Sequence, residues 1–252
     1  LEILLPKTMP ICLPSFAGTT SPASGGGFEN DYSISLDGSD DYCDISGASG
    51  VFNSATTFSI SLWYYARANG GAVFGCGTSG TNGVWILPYD VHNLYLSIRN
   101  GSGSAITASN PGLNKWVHVV ATYNSGASII YLTPEGGSTS TYSGTLDTSL
   151  SSTAGTNLSI GMLQAGFDLE FNGLIDEVAL WSSVLTSSNV TAIYNSGVPN
   201  DLGPAGLNLS PVGWWRMGDN DGGTGTTITD QGSGGNNGTL TNGPTFSSTV
   251  PS

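Results

Sequence analysis

Charge is scarce in this chain, and positive charge is scarcer. Only 9% of the 252 residues are charged, against roughly 25% in an ordinary soluble domain. Lys7, Arg67, Arg99, Lys115 and Arg216 are the only lysines and arginines, and the net charge is −13. A surface of that sign repels phosphate backbones, which argues against nucleic-acid binding, and it tolerates cations and neutral glycans. Cysteine is equally sparse. Cys12, Cys43 and Cys76 are too few and too irregularly spaced for a disulfide framework or a zinc site. Cys43 and Cys76 fall inside strand-like runs, where a thiol serves as a small buried apolar group; a Cys12–Cys43 bridge is the alternative. No apolar run approaches the ~20 residues of a membrane-spanning helix. The opening LEILLPKTMPICLPSF is broken by Pro6, Pro10 and Pro14 and lacks a basic start, so no signal peptide is expected there. The start at Leu1 is expected to mark a processed product or a piece of a longer polypeptide.

What is abundant is glycine, at 37 residues, with much serine, threonine and asparagine and 10% aromatics. That composition describes many short strands joined by turns, and the regular recurrence of apolar residues excludes disorder. Residues 1–27, proline-punctuated and then TTSPASGGG, read as an extended arm that cannot bury itself and is expected to lie on a neighbouring molecule. Residues 28–252 read as one domain. Phe58, Ile60 and Leu62 alternate with Ser59, Ser61 and Trp63, the period-2 signature of a strand with two different faces. Ala72–Cys76, Val84–Leu87 and Leu94–Ile98 are short strands between glycine-rich turns. Trp116–Tyr123 is apolar on both faces, and Ser128–Leu132 is its hairpin partner after an NSG turn.

A single helix is expected, after the strand Phe171–Trp181. Thr186 stands as its N-cap, Val190, Ile193 and Tyr194 follow at helical spacing, and Gly197 stands where a left-handed C-cap belongs. The pieces SISLDGSDDY, FSISLWYYA, WVHVVATYN, LSIGM and GLIDEVALW, in that order, resemble laminin-G-like and concanavalin-A-like jelly-roll domains over about residues 30–197. The resemblance implies an all-β, two-sheet antiparallel sandwich with one short helix. One departure stands out. The segment Trp214–Asp219 (WWRMGD) with TITDQGSGGNNGTL, which precedes the first strand in many bacterial relatives, here comes last. A circular permutation is the expected cause, with residues 198–252 completing the same sandwich and Phe246 lying close to residue 28.

The same jelly-roll hosts glucanases, which need two carboxylates across one cleft. Asp168–Glu170 and Asp176–Glu177 do not supply the alternating acids of that motif, and adjacent strand residues such as Asp176 and Glu177 are expected on opposite faces. His118 is expected to be a hydrogen-bonded sheet residue and His92 a solvated turn residue, and no G-x-S-x-G elbow is present. An enzyme is therefore not expected. Hard oxygen donors point to Ca²⁺ as the cofactor. The acids of the pentraxin-like calcium site are missing at Leu163 and Ala165. The metal candidates are therefore Asp37, beside Asp40, Asp41 and Asp44, and Asp219 and Asp230, in the displaced segment, approaching Asp176. Solvated turn acids are the alternative. For glycan binding the candidates are the aromatics Trp85, Tyr89 and Tyr95.

A jelly-roll with a long arm, few charges and the WWRMGD…TITD…GTLTN ending resembles structural proteins of marine bacteriophages. That resemblance implies a virion surface protein, a capsid decoration or tail-fibre component. Its partners would be other virion proteins, through the arm, and host glycans, with assembly in a particle. The alternatives are a secreted bacterial carbohydrate-binding module of a larger enzyme or adhesin, and a divergent glucanase.

Overall fold

The computed structural model describes residues 28–79, 82–101, 104–156, 158–163 and 169–252. The expected arm at 1–27 and Asp168 lie outside these residues. Sixteen strands run through the described chain: β1 (Ser33–Asp37), β2 (Tyr42–Asp44), β3 (Thr57–Ala66), β4 (Phe74–Ser79), β5 (Asn82–Pro88), β6 (Asn93–Asn100), β7 (Ala105–Ser109) and β8 (Trp116–Asn124). They continue as β9 (Ala127–Pro134), β10 (Ser140–Thr145), β11 (Ser159–Ile160), β12 (Asn172–Trp181), β13 (Gly213–Trp215), β14 (Thr227–Ile228), β15 (Gly238–Thr241) and β16 (Thr245–Ser247). One antiparallel sheet is ordered β10–β9–β8–β3–β12–β1–β16, with β13 also on β12; the other is ordered β14–β15–β2–β11–β4–β5–β6–β7. The protein is an all-β, two-sheet jelly-roll sandwich.

Alternation places the core between the sheets. Phe58, Ile60 and Leu62 of β3 and Val117, Val119 and Ala121 of β8 meet Phe74, Val84, Ile86, Leu94 and Leu96 of the second sheet. Phe52 locks them with edge-to-face contacts to Phe58 and Phe74, a geometry worth about 1 kcal/mol beyond the buried area. Cys43 and Cys76 are buried and unbridged. The β8–β9 hairpin turns on Ser125 and Gly126, both at positive φ, as a two-residue turn matching strand twist requires.

The other face of β8 is covered too, as its sequence requires. Val120 packs with Trp181, Val190 and Ile193 beneath the helix α1 (Ser187–Tyr194). Thr186 caps that helix reciprocally with Asn189: Asn189 N donates to Thr186 Oγ1 at 3.2 Å, and Thr186 N donates to Asn189 Oδ1 at 2.9 Å. The left-handed C-cap is Asn195, at φ 45°, and not the expected Gly197. Asparagine tolerates this conformation because its short amide bonds locally. His118, buried on the same sheet, bonds Ser61 Oγ through Nε2 at 2.9 Å, and burial pushes its pKa down to about 3.

The C-terminal strands are paired inside the two sheets. β13 lies on the second half of β12, opposite Val178–Leu180, and β1 lies on the first half, opposite Asn172–Ile175. Two strands from opposite ends of the chain thus share one lane of the sheet, end to end. Phe246 of β16 is the cross-strand partner of Ile34, and Phe28 stacks on Trp214. Where the two strands abut, β12 bulges between Asp176 and Ala179.

Candidate functional site

The bulge decides the fate of the acids that the sequence singles out. Glu177 takes a left-handed φ of 46°, which breaks the alternation of the strand. Asp176 and Glu177 therefore do not point to opposite faces. Their carboxylates come together with that of Asp219, with oxygens within 4.8 Å of one another. All six oxygens accept hydrogen bonds. Asp176 receives Glu177 N at 2.8 Å and Asn30 Nδ2 at 3.0 Å. Glu177 receives Arg216 Nε at 2.9 Å and the Trp214 indole N–H at 2.6 Å. Asp219 receives the backbone N–H groups of Asp31 and Tyr32 and, at 3.2 Å, an Arg216 nitrogen.

Arg216 also donates to the Glu29 carbonyl, and its guanidinium sits 4.0 Å from the Phe28 ring centroid. Burial raises all three carboxyls above their ordinary values, Glu177 to about 7 against the opposing pull of Arg216. This cluster stitches Phe28–Tyr32 to the strand beside it. Each of these oxygens already accepts a hydrogen bond, and the Arg216 guanidinium places a positive charge among them.

Asp230 does not join the cluster. It receives the backbone N–H groups of Trp214, Gly232 and Asn236 at 2.8, 2.7 and 2.8 Å, which makes it the staple of its own loop. Asp37 does gather with Asp40 and Asp41 at the β1–β2 turn. There Ser39 N donates to Asp37 Oδ1, and Asp37 N to Asp41 Oδ2. Asp44 instead holds Ser46 N.

The three aromatic candidates share one face. On β5, Val84 and Ile86 enter the core, so Trp85 and Leu87 point outward; on β6, Leu94, Leu96 and Ile98 enter, so Tyr95, Ser97 and Arg99 point outward. The register pairs Trp85 with Ser97 and Leu87 with Tyr95. Tyr89, just beyond β5, meets Tyr95 with ring centroids 5.5 Å apart and is 48% exposed. Trp85 is only 4% exposed, although it faces away from the core. The cause is its other neighbour, Gly75, whose side-chain position is filled by backbone: a Cβ there would come within 1.6 Å of the Leu163 carbonyl oxygen. The segment directly after β11, Gly161–Leu163, thus lies over the sheet.

Between that segment and the strands lies a cavity of about 200 Å³, lined by Trp85, Leu87, Ser97, Arg99, Leu163 and Leu169. Arg99 packs over the Trp85 ring at 5.4 Å. The Trp85 indole N–H has no hydrogen-bond partner among the described residues. The sequence offered none of Leu163, Leu169, Ser97 and Arg99 as a glycan-binding residue. The available signal was the outward register of β6 and the glycine opposite a tryptophan.

A second aromatic group, Trp63, Tyr65, Trp116 and Tyr194, covers the outer face of the first sheet. It packs helix α1 against that sheet, with Tyr194 stacked on Trp63 at 5.5 Å.

A jelly-roll whose open sheet face carries an aromatic row beside an apolar cavity defines a lectin-like β-sandwich. The family model of the concanavalin A-like lectin/glucanases superfamily matches residues 37–191, more than half of the chain, and the protein belongs to that superfamily. Among solved structures it is similar to a candidate carbohydrate-binding protein from Bacteroides ovatus, at TM-score 0.57 and 20% identity. That match covers 89% of this chain but only 62% of the Bacteroides chain. It is also similar to the CBM40 module of a Ruminococcus gnavus sialidase bound to α2,3-sialyllactose, at TM-score 0.50 and 18% identity, covering 64% of this chain and 95% of the module. No curated protein sequence matches it.

Proposed function

We propose that the protein is a non-enzymatic bacteriophage virion surface protein, a capsid decoration or tail-fibre component, that binds host glycans on the outer face of the second sheet. The observation that carries the glycan reading is the cavity beside the pair of exposed Tyr89 and half-buried Tyr95. Aromatic rings offer a flat apolar surface to the C–H face of a sugar, and a few placed polar groups set its orientation. The two similar structures, one a candidate carbohydrate-binding protein and one a module holding sialyllactose, support that reading. The non-enzymatic part rests on the engagement of Asp176, Glu177 and Asp219 in structural hydrogen bonds.

In this reading the arm at 1–27 docks on other virion proteins, and the particle sets the oligomeric state. The bonds from Arg216 and Asp219 to Glu29, Asp31 and Tyr32 give the arm a fixed point of departure. Calcium belongs at the Asp37–Asp40–Asp41 turn. The second reading, a carbohydrate-binding module of a larger secreted enzyme or adhesin, draws on the sialidase module.

Two measurements test the proposal. Mass spectrometry of purified phage particles should find the protein at a fixed, multiple copy number; its absence from particles, with secretion by a bacterial host, sinks the virion role in favour of the second reading. A glycan array should give signal that Tyr89→Ala abolishes, and a blank array sinks the glycan role.

A further inference from the structure

Each sheet ends in two edge strands, and natural sandwiches blunt such edges with short strands, charges, prolines or bulges. Three of the four edges here are blunted. β16 has three residues and β14 two, and β7 has five and runs into Asn110–Pro111. The fourth, β10, has six residues in unbroken register with β9. Residues 136–146, GGSTSTYSGTL, contain no charge and no proline. We propose that β10 is an interface between two copies of this chain, in which the two β10 strands pair antiparallel about a two-fold axis through Ser143.

Three observations carry this. The first is the direction of the backbone groups. Leu146 N donates to the Gly126 carbonyl at 2.9 Å, one step past the end of the β9–β10 register. Hydrogen-bonded pairs alternate with unbonded ones along an antiparallel ladder. Ser140, Tyr142 and Gly144 therefore bond β9, and the N–H and C=O groups of Thr141, Ser143 and Thr145 point away from it. No described residue bonds those groups, and all three residues are exposed.

The second is self-complementarity. A two-fold through Ser143 sets Ser143 against the partner's Ser143, Thr141 against the partner's Thr145, and Thr145 against the partner's Thr141. Every outward backbone group of β10 is then bonded, and no other two-fold register achieves that within the strand. Tyr142 falls opposite the partner's Gly144, so no side chain opposes its ring.

The third is charge. At a net charge of −13, two copies repel each other over most of their surface. β10 is a place where they meet without that cost. In this register Asp147, the acid nearest the strand, lies opposite the partner's Thr139, and no acid faces an acid.

The pairing has a consequence for display. Two strands joined edge to edge in one sheet are related by a two-fold perpendicular to it, so the same face of each copy looks the same way. Phe28 packs on the outer face of the first sheet, with Trp214 and Trp181. Both copies of Phe28 then lie on one side of the dimer, and both Tyr89–Tyr95 pairs on the other. Two sites facing one way can hold a glycan-bearing surface together, with avidity above that of either alone. Only this last step rests on the glycan reading; the pairing does not.

Sedimentation velocity and cysteine crosslinking on the full chain, with no glycan present, test the interface by itself. Between about 10 and about 500 µM the wild type should show a monomer–dimer equilibrium, weak because one strand pair is a small interface. Ser143→Pro removes an N–H that β9 does not use, and Ser143→Lys sets two like charges on the two-fold. Each should weaken the dimer at least tenfold, with the melting temperature confirming the fold; the lysine variant gives the readout if the proline variant does not fold. In a Cys12→Ser background, mild oxidation should crosslink Ser143→Cys, because bonded strand partners have Cα atoms about 5.5 Å apart, within disulfide reach. Thr141→Cys alone should not crosslink, since its two copies stand at least ~13 Å apart along the strands. Thr141→Cys combined with Thr145→Cys should. A monomer at every concentration, or a dimer that both variants leave intact, overturns the interface. Crosslinking of Thr141→Cys as readily as Ser143→Cys overturns the two-fold register. Loss of the dimer in both variants without a crosslink at position 143 overturns self-pairing, in favour of residues 1–27 of a neighbouring copy adding to β10.

Discussion

Replacing Arg216 with methionine removes the one cation shared by the buried carboxylates and keeps most of the apolar stem. In the native protein its Nε donates to Glu177 Oε1 at 2.9 Å and a terminal nitrogen reaches Asp219 Oδ2 at 3.2 Å, with both acids almost wholly buried. Removing one partner of a buried ion pair costs about 3–5 kcal/mol, because the other charge is left uncompensated. The stacked Phe28 ring adds about 1 kcal/mol of lost cation–π attraction.

The predicted loss at pH 8 is therefore about 4–6 kcal/mol, which in a chain of this size lowers the melting temperature by about 10–20 °C. The pH dependence carries the sharper test. Burial raises Glu177 from its ordinary 4.5 to about 7 and raises Asp176 and Asp219 as well. The folded state then holds protons that the unfolded chain releases, so the stability these groups contribute is full below about pH 4.5 and is lost as pH rises through about 7. Wild type should become less stable between pH 5 and pH 8. The variant should decline more steeply, since Arg216 is what pulls these carboxyls back down, and its deficit should shrink by about half at pH 5, where the acids neutralise themselves. Urea unfolding followed by tryptophan fluorescence at the two pH values measures both. A deficit equal at pH 5 and pH 8, or below about 1 kcal/mol at pH 8, refutes the account of the cluster as a charge-balanced stitch.

Thr186→Ala removes the reciprocal cap of α1 and should cost about 1 kcal/mol in thermal unfolding; no loss would mean that packing alone holds the helix. Gly75→Ala sets a Cβ against the Leu163 carbonyl. It should destabilise the protein by about 1–3 kcal/mol and weaken glycan binding at least tenfold, and unchanged binding by calorimetry would separate that segment from the site. Calcium at ten times its dissociation constant should stabilise the wild type by about 1.4 kcal/mol. Asp37→Asn should abolish that gain, whereas an unmoved melting temperature at millimolar Ca²⁺ removes the ion from the turn.

The alternation of Phe58, Ile60 and Leu62 against Ser59, Ser61 and Trp63 was enough to place both faces of β3, and Thr186 was enough to start the helix. Those signals are local, and tertiary contacts only reinforce them. Glu177 shows where such reasoning stops. Strict alternation presumes a regular strand, and a left-handed residue that is not glycine leaves no mark in the sequence. Asp230 looked like any turn acid, and only the folded loop shows three backbone N–H groups converging on it. Trp85 was legible as a glycan candidate but its burial was not, because the residue that covers its strand pair, Leu163, is distant in sequence. The three aromatics were legible as neighbours because they sit on adjacent strands joined by a short turn. Leu163 and Leu169 were not, because they reach the cavity from the far side of the sheet order.

Cys43 and Cys76 carry a consequence for experiment. Both thiols are buried, burial raises the pKa of each, and the Cys76 Sγ donates to the Ala154 carbonyl at 3.4 Å. They sit on β2 and β4, on either side of the two-residue β11. An alkylating reagent attacks a thiolate, and neither side chain forms one while the sandwich is shut. In a Cys12→Ser background the labelling rates of these two residues become paired clocks for the breathing of the second sheet. Matching rates mean that the sheet opens as a unit, and a faster Cys43 means that β2 peels from β11 before the strands that carry the cavity come apart.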